Sequence, residues 1–287
     1  AIDLRQHAGQ ELIYKLVERA DVFLWNQGLD NLKKWGLGWE KLREINPRLI
    51  HATNTGHGPV GFVNKPSLDI NVQALTGIMT RQGEPGQPPI YLGTGSGDAY
   101  GGILSALGIL LALYQRRTTG RGQSIDASLY GAQLFMAAPT LQPFLASGKE
   151  FYSRQRSRKQ ARNPLWNRYR ASDKWLFLCA ENTDQNWSKL ARTLERMALV
   201  NDVRFATAAG RAGQNEALIS ALDAVLAQRS AQDWMQRWRP LGLVAGPIQS
   251  FEDLCADAQA WDNDYLMKTH CSEVDREVDV RQRHRNA

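Results

Sequence analysis

Cysteine is scarce in this chain of 287 residues. Cys179, Cys255 and Cys271 form no CxxC pair, which argues against a disulfide framework and against a cysteine-based zinc site. Few, unpaired cysteines are typical of a reducing compartment, so we expect a cytoplasmic protein without a bound metal. The longest apolar run, residues 103–114, is shorter than the roughly 20 residues that span a bilayer, so no membrane segment is expected.

Signatures of several common enzyme classes are also missing from the sequence. A GxSxG elbow, an HExxH pair and a P-loop are all absent, so serine hydrolases, zincins and nucleotide hydrolases lack support. Residues 93–97 read GTGSG, which is not a dinucleotide fingerprint because the third glycine comes too early.

Positive charge is in excess, with a formal net charge of +6. Part of it lies in two runs, RQRSRKQAR (154–162) and RQRHR (281–285), which are typical either of phosphate binding or of a solvated linker and tail. Neither run has interleaved aromatic residues or a nucleic-acid-binding module, so we favour solvated segments and expect no nucleic-acid partner.

Strand and helix patterns alternate along the first half of the chain. Such alternation predicts an α/β fold with a parallel sheet, here assigned to a large domain over residues 1–145. The helical face of the first helix contains Leu12, Leu16 and Val17 among its apolar positions. The predicted strands are 21–26, 48–56 and a segment starting at 124, and the predicted helices are 12–20, 39–45 and about 98–117.

The pattern breaks in a polar, basic stretch that we assign to a linker over residues 146–163. A smaller domain follows over 164–250, and residues 251–287 form a return segment or tail. Two serines, Ser230 and Ser250, have the spacing to Asp233 and Asp253 that starts helices. Within the smaller domain we predict strands at 175–182 and 243–250 and helices at 183–197 and 215–229.

One carboxylate, Asp98, stands in the glycine-rich stretch GTGSGDAYGG (93–102) just before the most apolar helix. Asp is a favoured N-cap, so a capping role is the simplest interpretation. The alternative is catalysis: Gly93, Gly95 and Gly97 allow close approach of a ligand, and the helix N-terminus offers N–H groups to an oxyanion. The residues alone leave both interpretations open.

Two further polar residues follow predicted strands or precede helices. His57 lies just after a strand, where open α/β sheets bind ligands, although an exposed loop histidine is an equal alternative. Asp69 stands at the start of a helix, and we favour a cap for that helix over catalysis.

Five ordered motifs together resemble the class III CoA-transferases of the CaiB/BaiF type, the family of formyl-CoA transferase and carnitine CoA-transferase. They are ADVFLWN, GLGWEKLREINPRLIHATNTGHGPVG, KPSLDINVQALTGIM, GTGSGDAYGGILSALGILLAL and TGRGQSIDASLYGA. The second half also resembles that family, for example in NPLWNRYRASDKWLFLCAENTDQNW. The resemblance implies a Rossmann-like large domain with a parallel sheet and a smaller α/β (α+β) domain.

The resemblance implies that Asp98 is the nucleophile that attacks an acyl-CoA thioester. CoA is then transferred to a carboxylic acid acceptor through an enzyme-bound anhydride and an enzyme-bound thioester. The chemistry then needs coenzyme A as substrate and no metal. The family's CoA-binding positions correspond here to Asn26, Gln27, Gly28, Lys34, Trp35, Thr55 and His57, with Lys34 near phosphate and Trp35 near adenine.

The resemblance also implies an interlocked homodimer. Relatives begin with a strand-helix-strand unit that this sequence lacks, and the return to the large domain stops after Asp275, so we expect a chain truncated at both ends. Two alternatives stay open. One is a 2-methylacyl-CoA racemase, although Leu68 occupies the position of that enzyme's histidine. The other is a non-catalytic module that binds acyl-CoA or serves assembly.

Overall fold

A computed structural model describes residues 1–61, 66–149, 157–271 and 276–279 of the chain. The chain divides into two compact units, Ala1–Arg156 and Ser157–Ala287, each described here by itself. The basic run at 281–285 and residues 154–156 of the other basic run lie outside the described residues.

Unit 1 is built on a parallel sheet, as the alternating pattern predicts. Its three described strands lie in the order β1-β2-β3, and both neighbouring pairs are parallel. Val22 lies opposite Ile50, and Ile50 lies opposite Gln123. The carboxyl ends of β1 and β2 therefore meet at one edge of the sheet. The bounds are β1 (Val22–Trp25), β2 (Ile50–Thr55) and β3 (Gln123–Ser128).

Six α-helices and one 3₁₀ turn accompany this sheet in the described part of unit 1. A core of Val17, Trp25, Leu32, Leu42 and Leu49 joins the first helices to β1. The bounds are α1 (His7–Val17), α2 (Leu29–Lys34), α3 (Trp39–Ile45), α4 (Asp69–Leu75), the 3₁₀ turn Ile78–Arg81, α5 (Ser96–Thr119) and α6 (Leu129–Ser147).

The apolar face predicted for α1 is only partly correct. Val17 is buried, but Leu12 and Leu16 are 50% and 59% exposed. The helix therefore contacts the core through its C-terminal end, and helical period alone does not show which apolar positions are covered.

Helix α5 is longer than the apolar run that predicts it. It has 24 residues, and an 18-residue window of it reaches a mean hydropathy of 1.4, so length and composition alone would let it cross a membrane. The helix packs against β2, β3 and α6, although only 28% of that window is buried. One face is nevertheless open, since the side chains of Ile103, Leu107, Leu110, Leu111 and Tyr114 are exposed. We call these five residues the α5 stripe.

Unit 2 contains an antiparallel sheet with the order β4-β5-β6. Strand β4 has no counterpart among the strands that the sequence predicts, because its WNRYR sequence carries only partial alternation. Tyr169 of β4 is fully buried in a core that includes Phe205, Trp234 and Trp238. The bounds are β4 (Trp166–Arg170), β5 (Trp175–Cys179) and β6 (Ala245–Pro247), with a separate antiparallel pair β7 (Lys268–Cys271) and β8 (Arg276–Asp279).

The helices of unit 2 begin where the serine spacing predicts. The Ser230 hydroxyl accepts the Asp233 N–H, and Ser250 and Asp253 form a reciprocal capping box. The bounds are α7 (Asp184–Thr193), α8 (Met197–Val200), α9 (Ala208–Gly213), α10 (Asn215–Leu226), α11 (Ala231–Trp238), α12 (Phe251–Cys255) and α13 (Ala258–Asp262), with 3₁₀ turns at Arg158–Gln160, Val203–Phe205 and Arg239–Leu241.

Arg158, from the basic run 154–162, is held by unit 2. Its guanidinium donates to the Asp223 carboxylate over 2.6 Å and lies over the Trp175 ring, 5.3 Å from the centroid. The side chain is largely buried by these contacts. At this position, therefore, the run does not behave as a solvated linker.

Candidate active site

Asp98 lies in the first turn of α5 and is exposed to solvent. The helix begins at Ser96, and its N-cap is Gly95, whose φ of 59° is in the left-handed region that favours glycine. Asp98 is therefore the third residue of the helix, and the interpretation of Asp98 as the N-cap is wrong. A carboxylate in this turn is stabilised by the partial positive charge of the helix N-terminus.

Asp69, the first residue of α4, is buried beside the same turn. One carboxylate oxygen accepts the Gly97 N–H over 2.6 Å and the Gln133 amide over 3.2 Å. The other oxygen accepts the Gln73 amide over 2.5 Å. The N-cap of α4 is Leu68, so the prediction that Asp69 caps its own helix is wrong. Its carboxylate instead satisfies an N–H at the start of α5.

The glycines of the 93–102 stretch differ in what surrounds them. A Cβ on Gly97 would lie 2.6 Å from the Asp69 carboxylate and would overlap the Gln133 amide. A Cβ on Gly93 or Gly102 would meet nothing within 4 Å. Gly97 is thus required by contacts inside the protein rather than by ligand approach, and its N–H is already donated to Asp69.

A cavity of about 480 Å³ opens at the carboxyl ends of β1 and β2. Five of the seven predicted CoA-binding residues line it together, three from the loop after β1 and two from the end of β2 and the following loop. They are Asn26, Gln27, Gly28, Thr55 and His57, and Asp30, Asn31, Gly56, Pro66 and Ser67 complete the lining.

Lys34 and Trp35 are not among the residues that line this cavity. The Trp35 ring packs edge-on against Trp25, with 5.8 Å between the ring centroids, and contacts the core of unit 1. Trp25 in turn donates its indole N–H to the Gly28 carbonyl over 3.3 Å. Trp35 is half-buried, and Lys34 is an exposed residue at the end of α2, so the CoA contacts expected of these two residues stay predictions.

The loop that carries His57 is fixed at both sides. The Gly58 N–H donates to the Thr55 hydroxyl over 3.1 Å, and the Tyr130 N–H donates to the Gly56 carbonyl over 3.0 Å. A Cβ on Gly56 would overlap Ser67, so the loop passes close to the segment that leads into α4. His57 is therefore presented to the cavity by an ordered turn.

The start of α5 lies against the end of β2, where the cavity opens. A Cβ on Gly101 would lie 3.3 Å from the Asn54 amide oxygen, and Asn54 precedes the cavity residue Thr55. The buried Asn54 Oδ1 and Ser96 Oγ atoms have no hydrogen-bond partner among the described residues.

His51 lies in β2 and is not part of the cavity. Burial lowers the pKa of its imidazole below the ordinary value, and Nε2 lies 3.0 Å from the Leu37 carbonyl oxygen. The ring stacks on Phe23, with 5.3 Å between the ring centroids. His51 is therefore a neutral core group, which the sequence analysis does not single out.

Over residues 1–61, 66–149, 157–271 and 276–279, the structure places no group of three or more His, Cys, Asp or Glu side chains where they would hold a metal ion.

Comparison with known proteins identifies the family of the chain. The profile of CoA-transferase family III matches residues 1–283. The chain is 32% identical over 259 residues to the succinyl-CoA–D-citramalate CoA-transferase of Chloroflexus aurantiacus, a match that covers 89% of this chain and 63% of the relative. It is 31% identical over 252 residues to the acetyl-CoA:oxalate CoA-transferase of Acetobacter aceti, covering 86% and 63%.

A solved structure, that of a CAIB/BAIF family protein from Brucella suis, matches this fold with a TM-score of 0.85 at 31% identity. The match covers 93% of this chain and 70% of that protein. The chain spans 63% of the length of each of the two curated relatives, the CoA-transferases of Chloroflexus aurantiacus and Acetobacter aceti. A mixed α/β architecture with a parallel and an antiparallel sheet is shared with this neighbour, and the chain belongs to CoA-transferase family III.

Proposed function

We propose that this chain transfers CoA from an acyl-CoA to a carboxylic acid and that Asp98 is the nucleophile. The observation that carries the proposal is the exposed Asp98 carboxylate in the first turn of α5, a helix whose Gly101 lies against Asn54, the neighbour of the cavity residue Thr55. A carboxylate is already an anion, so this chemistry needs neither a metal nor a strong general base.

In the first half-reaction, an Asp98 oxygen attacks the thioester carbonyl carbon of the donor. The carbon–sulfur bond breaks, CoA leaves as its thiolate, and a mixed anhydride forms on Asp98. The thiolate then attacks the Asp98 carbonyl carbon, which releases the donor acid together with one former Asp98 oxygen. The product is a thioester between Asp98 and CoA.

In the second half-reaction, the acceptor carboxylate attacks the aspartyl thioester and displaces the CoA thiolate. The thiolate attacks the acceptor side of the new anhydride, which gives acceptor acyl-CoA and free Asp98. Each addition creates an oxyanion, and the N-terminal field of α5 favours negative charge there. The Gly97 N–H is not an oxyanion donor in this scheme because Asp69 already accepts it.

We assign the cavity to the CoA moiety. Asn26, Gln27, Thr55 and His57 offer hydrogen-bonding groups there, which suit the two amides of the pantetheine arm. Asp30 adds negative charge to the cavity lining, so the phosphates are expected away from it, toward exposed Lys34. In this assignment Lys34 stays a phosphate partner. Trp35, whose ring packs against Trp25, is proposed to stabilise the cavity wall instead of contacting the adenine ring.

We further propose that two copies form an interlocked homodimer and that the enzyme acts in the cytoplasm. The α5 stripe supports association because a contiguous apolar face is costly to leave in water. Cys179 and Cys255 are free thiols, which fits a reducing compartment. Light scattering that shows a monomer would count against the dimer.

The function is tested by trapping the aspartyl thioester. The protein is incubated with succinyl-CoA or acetyl-CoA in the presence of hydroxylamine, and peptides are analysed by mass spectrometry. We expect a hydroxamate on Asp98, lost in Asp98→Ala and retained in Glu40→Ala, a matched change of an acidic residue in the first turn of α3. Binding of CoA without any adduct would favour the non-catalytic module instead.

A further inference from the structure

Helix α4 binds both ends of the glycine loop that leads to Asp98. At the start of the loop, the Gln73 amide oxygen accepts the Leu92 N–H over 3.0 Å, and the Gln73 amide nitrogen donates to the Leu92 carbonyl over 3.1 Å. At the end of the loop, Asp69 accepts the Gly97 N–H over 2.6 Å. Asp69 and Gln73 are four residues apart, on one face of α4.

The two contacts are joined into one buried network. Gln73 donates to Asp69 over 2.5 Å, and Gln133 of α6 donates to the same carboxylate over 3.2 Å. The Thr76 hydroxyl donates to Gln133 over 2.7 Å, which fixes the orientation of that amide. Gln73 and Gln133 are fully buried, and Asp69 is 7% exposed. A buried network of this kind is rigid because each broken bond leaves an unsatisfied polar group.

Between these two contacts, the loop has space around two of its glycines. Gly93 has no atom within 4 Å of where a Cβ would stand, and Gly95 has only Asp98 there. The hydrogen bonds from α4 therefore hold the loop at Leu92 and at Gly97, the residue before Asp98.

We propose that Asp69 and Gln73 are positioning residues for Asp98, which hold the first turn of α5 so that the nucleophile meets the thioester carbon at attacking distance. This inference rests on the proposed function. Neither residue touches the substrate in this scheme. Their effect is on geometry, and an error of about 1 Å in the position of a reacting group can cost about 100-fold in rate.

The test compares Asp69→Ala, Asp69→Asn and Gln73→Ala with Asn71→Ala. Asn71 lies on the same helix but bonds only the Leu68 N–H in the described contacts, so its loss disturbs α4 without touching the loop. Asp69→Asn keeps an oxygen that can accept the Gly97 N–H. Two quantities are measured with succinyl-CoA: the single-turnover rate of hydroxamate formation on Asp98 and the affinity for CoA. Hydrogen exchange of peptides that contain Leu92 and Gly97 is followed separately.

We expect the labelling rate to fall at least about tenfold in Asp69→Ala and Gln73→Ala with CoA affinity unchanged, and to recover in part in Asp69→Asn. Exchange of the loop amides is expected to accelerate in the two alanine variants and not in Asn71→Ala. Equal losses of rate and CoA affinity, or a loss as large in Asn71→Ala, would overturn the positioning role. So would wild-type labelling rates in both alanine variants.

The two proposals fail in distinguishable ways. If Asp98→Ala forms a hydroxamate on another residue at the wild-type rate, Asp98 is not the nucleophile, and the positioning role is then without a basis whatever the exchange data show. Labelling that depends on Asp98 but not on Asp69 or Gln73 leaves the proposed function intact and overturns only the inference. If Asp69→Ala does not fold, Gln73→Ala and Asp69→Asn decide the question.

Discussion

Gly97→Ala and Gly102→Ala are expected to change the stability of unit 1 in opposite directions. Both residues lie in the first two turns of α5, so both replacements gain about 0.5–1 kcal/mol from the lower flexibility of alanine in a helix. At Gly102 nothing lies within 4 Å of the new Cβ, so that gain is the whole effect.

At Gly97 the new Cβ overlaps the Gln133 amide and lies 2.6 Å from the Asp69 carboxylate. Relief requires the amide to move away from Asp69, which breaks a buried hydrogen bond at a cost of about 1–3 kcal/mol. Subtraction of the helix gain leaves a net loss of up to about 2.5 kcal/mol.

The free energy of local unfolding is measured by hydrogen exchange of α5 and α6 peptides at increasing urea concentration, because the two units need not unfold together. The difference between the two variants is expected to be about 1–3 kcal/mol, the cost of the broken hydrogen bond, because the helix gain is common to both. Two alanine variants of equal stability, or a stabilised Gly97→Ala, would refute the described packing of Gly97 against Asp69 and Gln133.

Three more predictions follow from named contacts. Burial lowers the pKa of His51 in the folded state below 6.5, so the unfolded chain binds more protons than the folded chain. The free energy of unfolding is therefore expected to fall as the pH drops below about 6.5. This one group limits the fall to at most about 1.4 kcal/mol per pH unit. His51→Gln keeps a donor for the Leu37 carbonyl, and a urea titration series across pH is expected to show a flatter profile for it; an unchanged slope would contradict the assignment. Turnover with an acceptor whose carboxylate carries oxygen-18 is expected to place that isotope on Asp98, seen by peptide mass spectrometry, and its absence argues against the anhydride route. Ser230→Ala is expected to cost unit 2 about 1 kcal/mol, measured by hydrogen exchange of α11, because the Asp233 N–H loses its acceptor.

Local signals in the sequence were sufficient for much of the fold. The apolar segment 21–26 forms β1, residues 39–45 form α3 with the predicted ends, and the Ser250–Asp253 spacing forms a capping box. In each case neighbours in sequence determine the structure, through alternation, helical period or a hydrogen bond over three residues. Strand β4 was missed because its burial depends on the helices that cover Tyr169.

Five of the CoA-binding positions that the family resemblance implies lie at or just after the ends of strands. Asn26, Gln27, Gly28, Thr55 and His57 meet at one cavity because β1 and β2 are parallel neighbours. The bond that Asp69 makes is not predictable from local sequence, because its partner Gly97 lies 28 residues further along the chain.

The unequal surroundings of the glycines between residues 93 and 102 bear on how this stretch can diverge. Gly95 has a left-handed backbone that favours glycine, and Gly97 has no room for a side chain. Gly93 and Gly102, in contrast, have open space around them. Substitutions are therefore expected to be tolerated at Gly93 and Gly102 and to be selected against at Gly95 and Gly97. A search for distant homologues that counts glycines would lose true members, while a pattern requiring Gly95, Gly97 and a buried acceptor at position 69 would retain them.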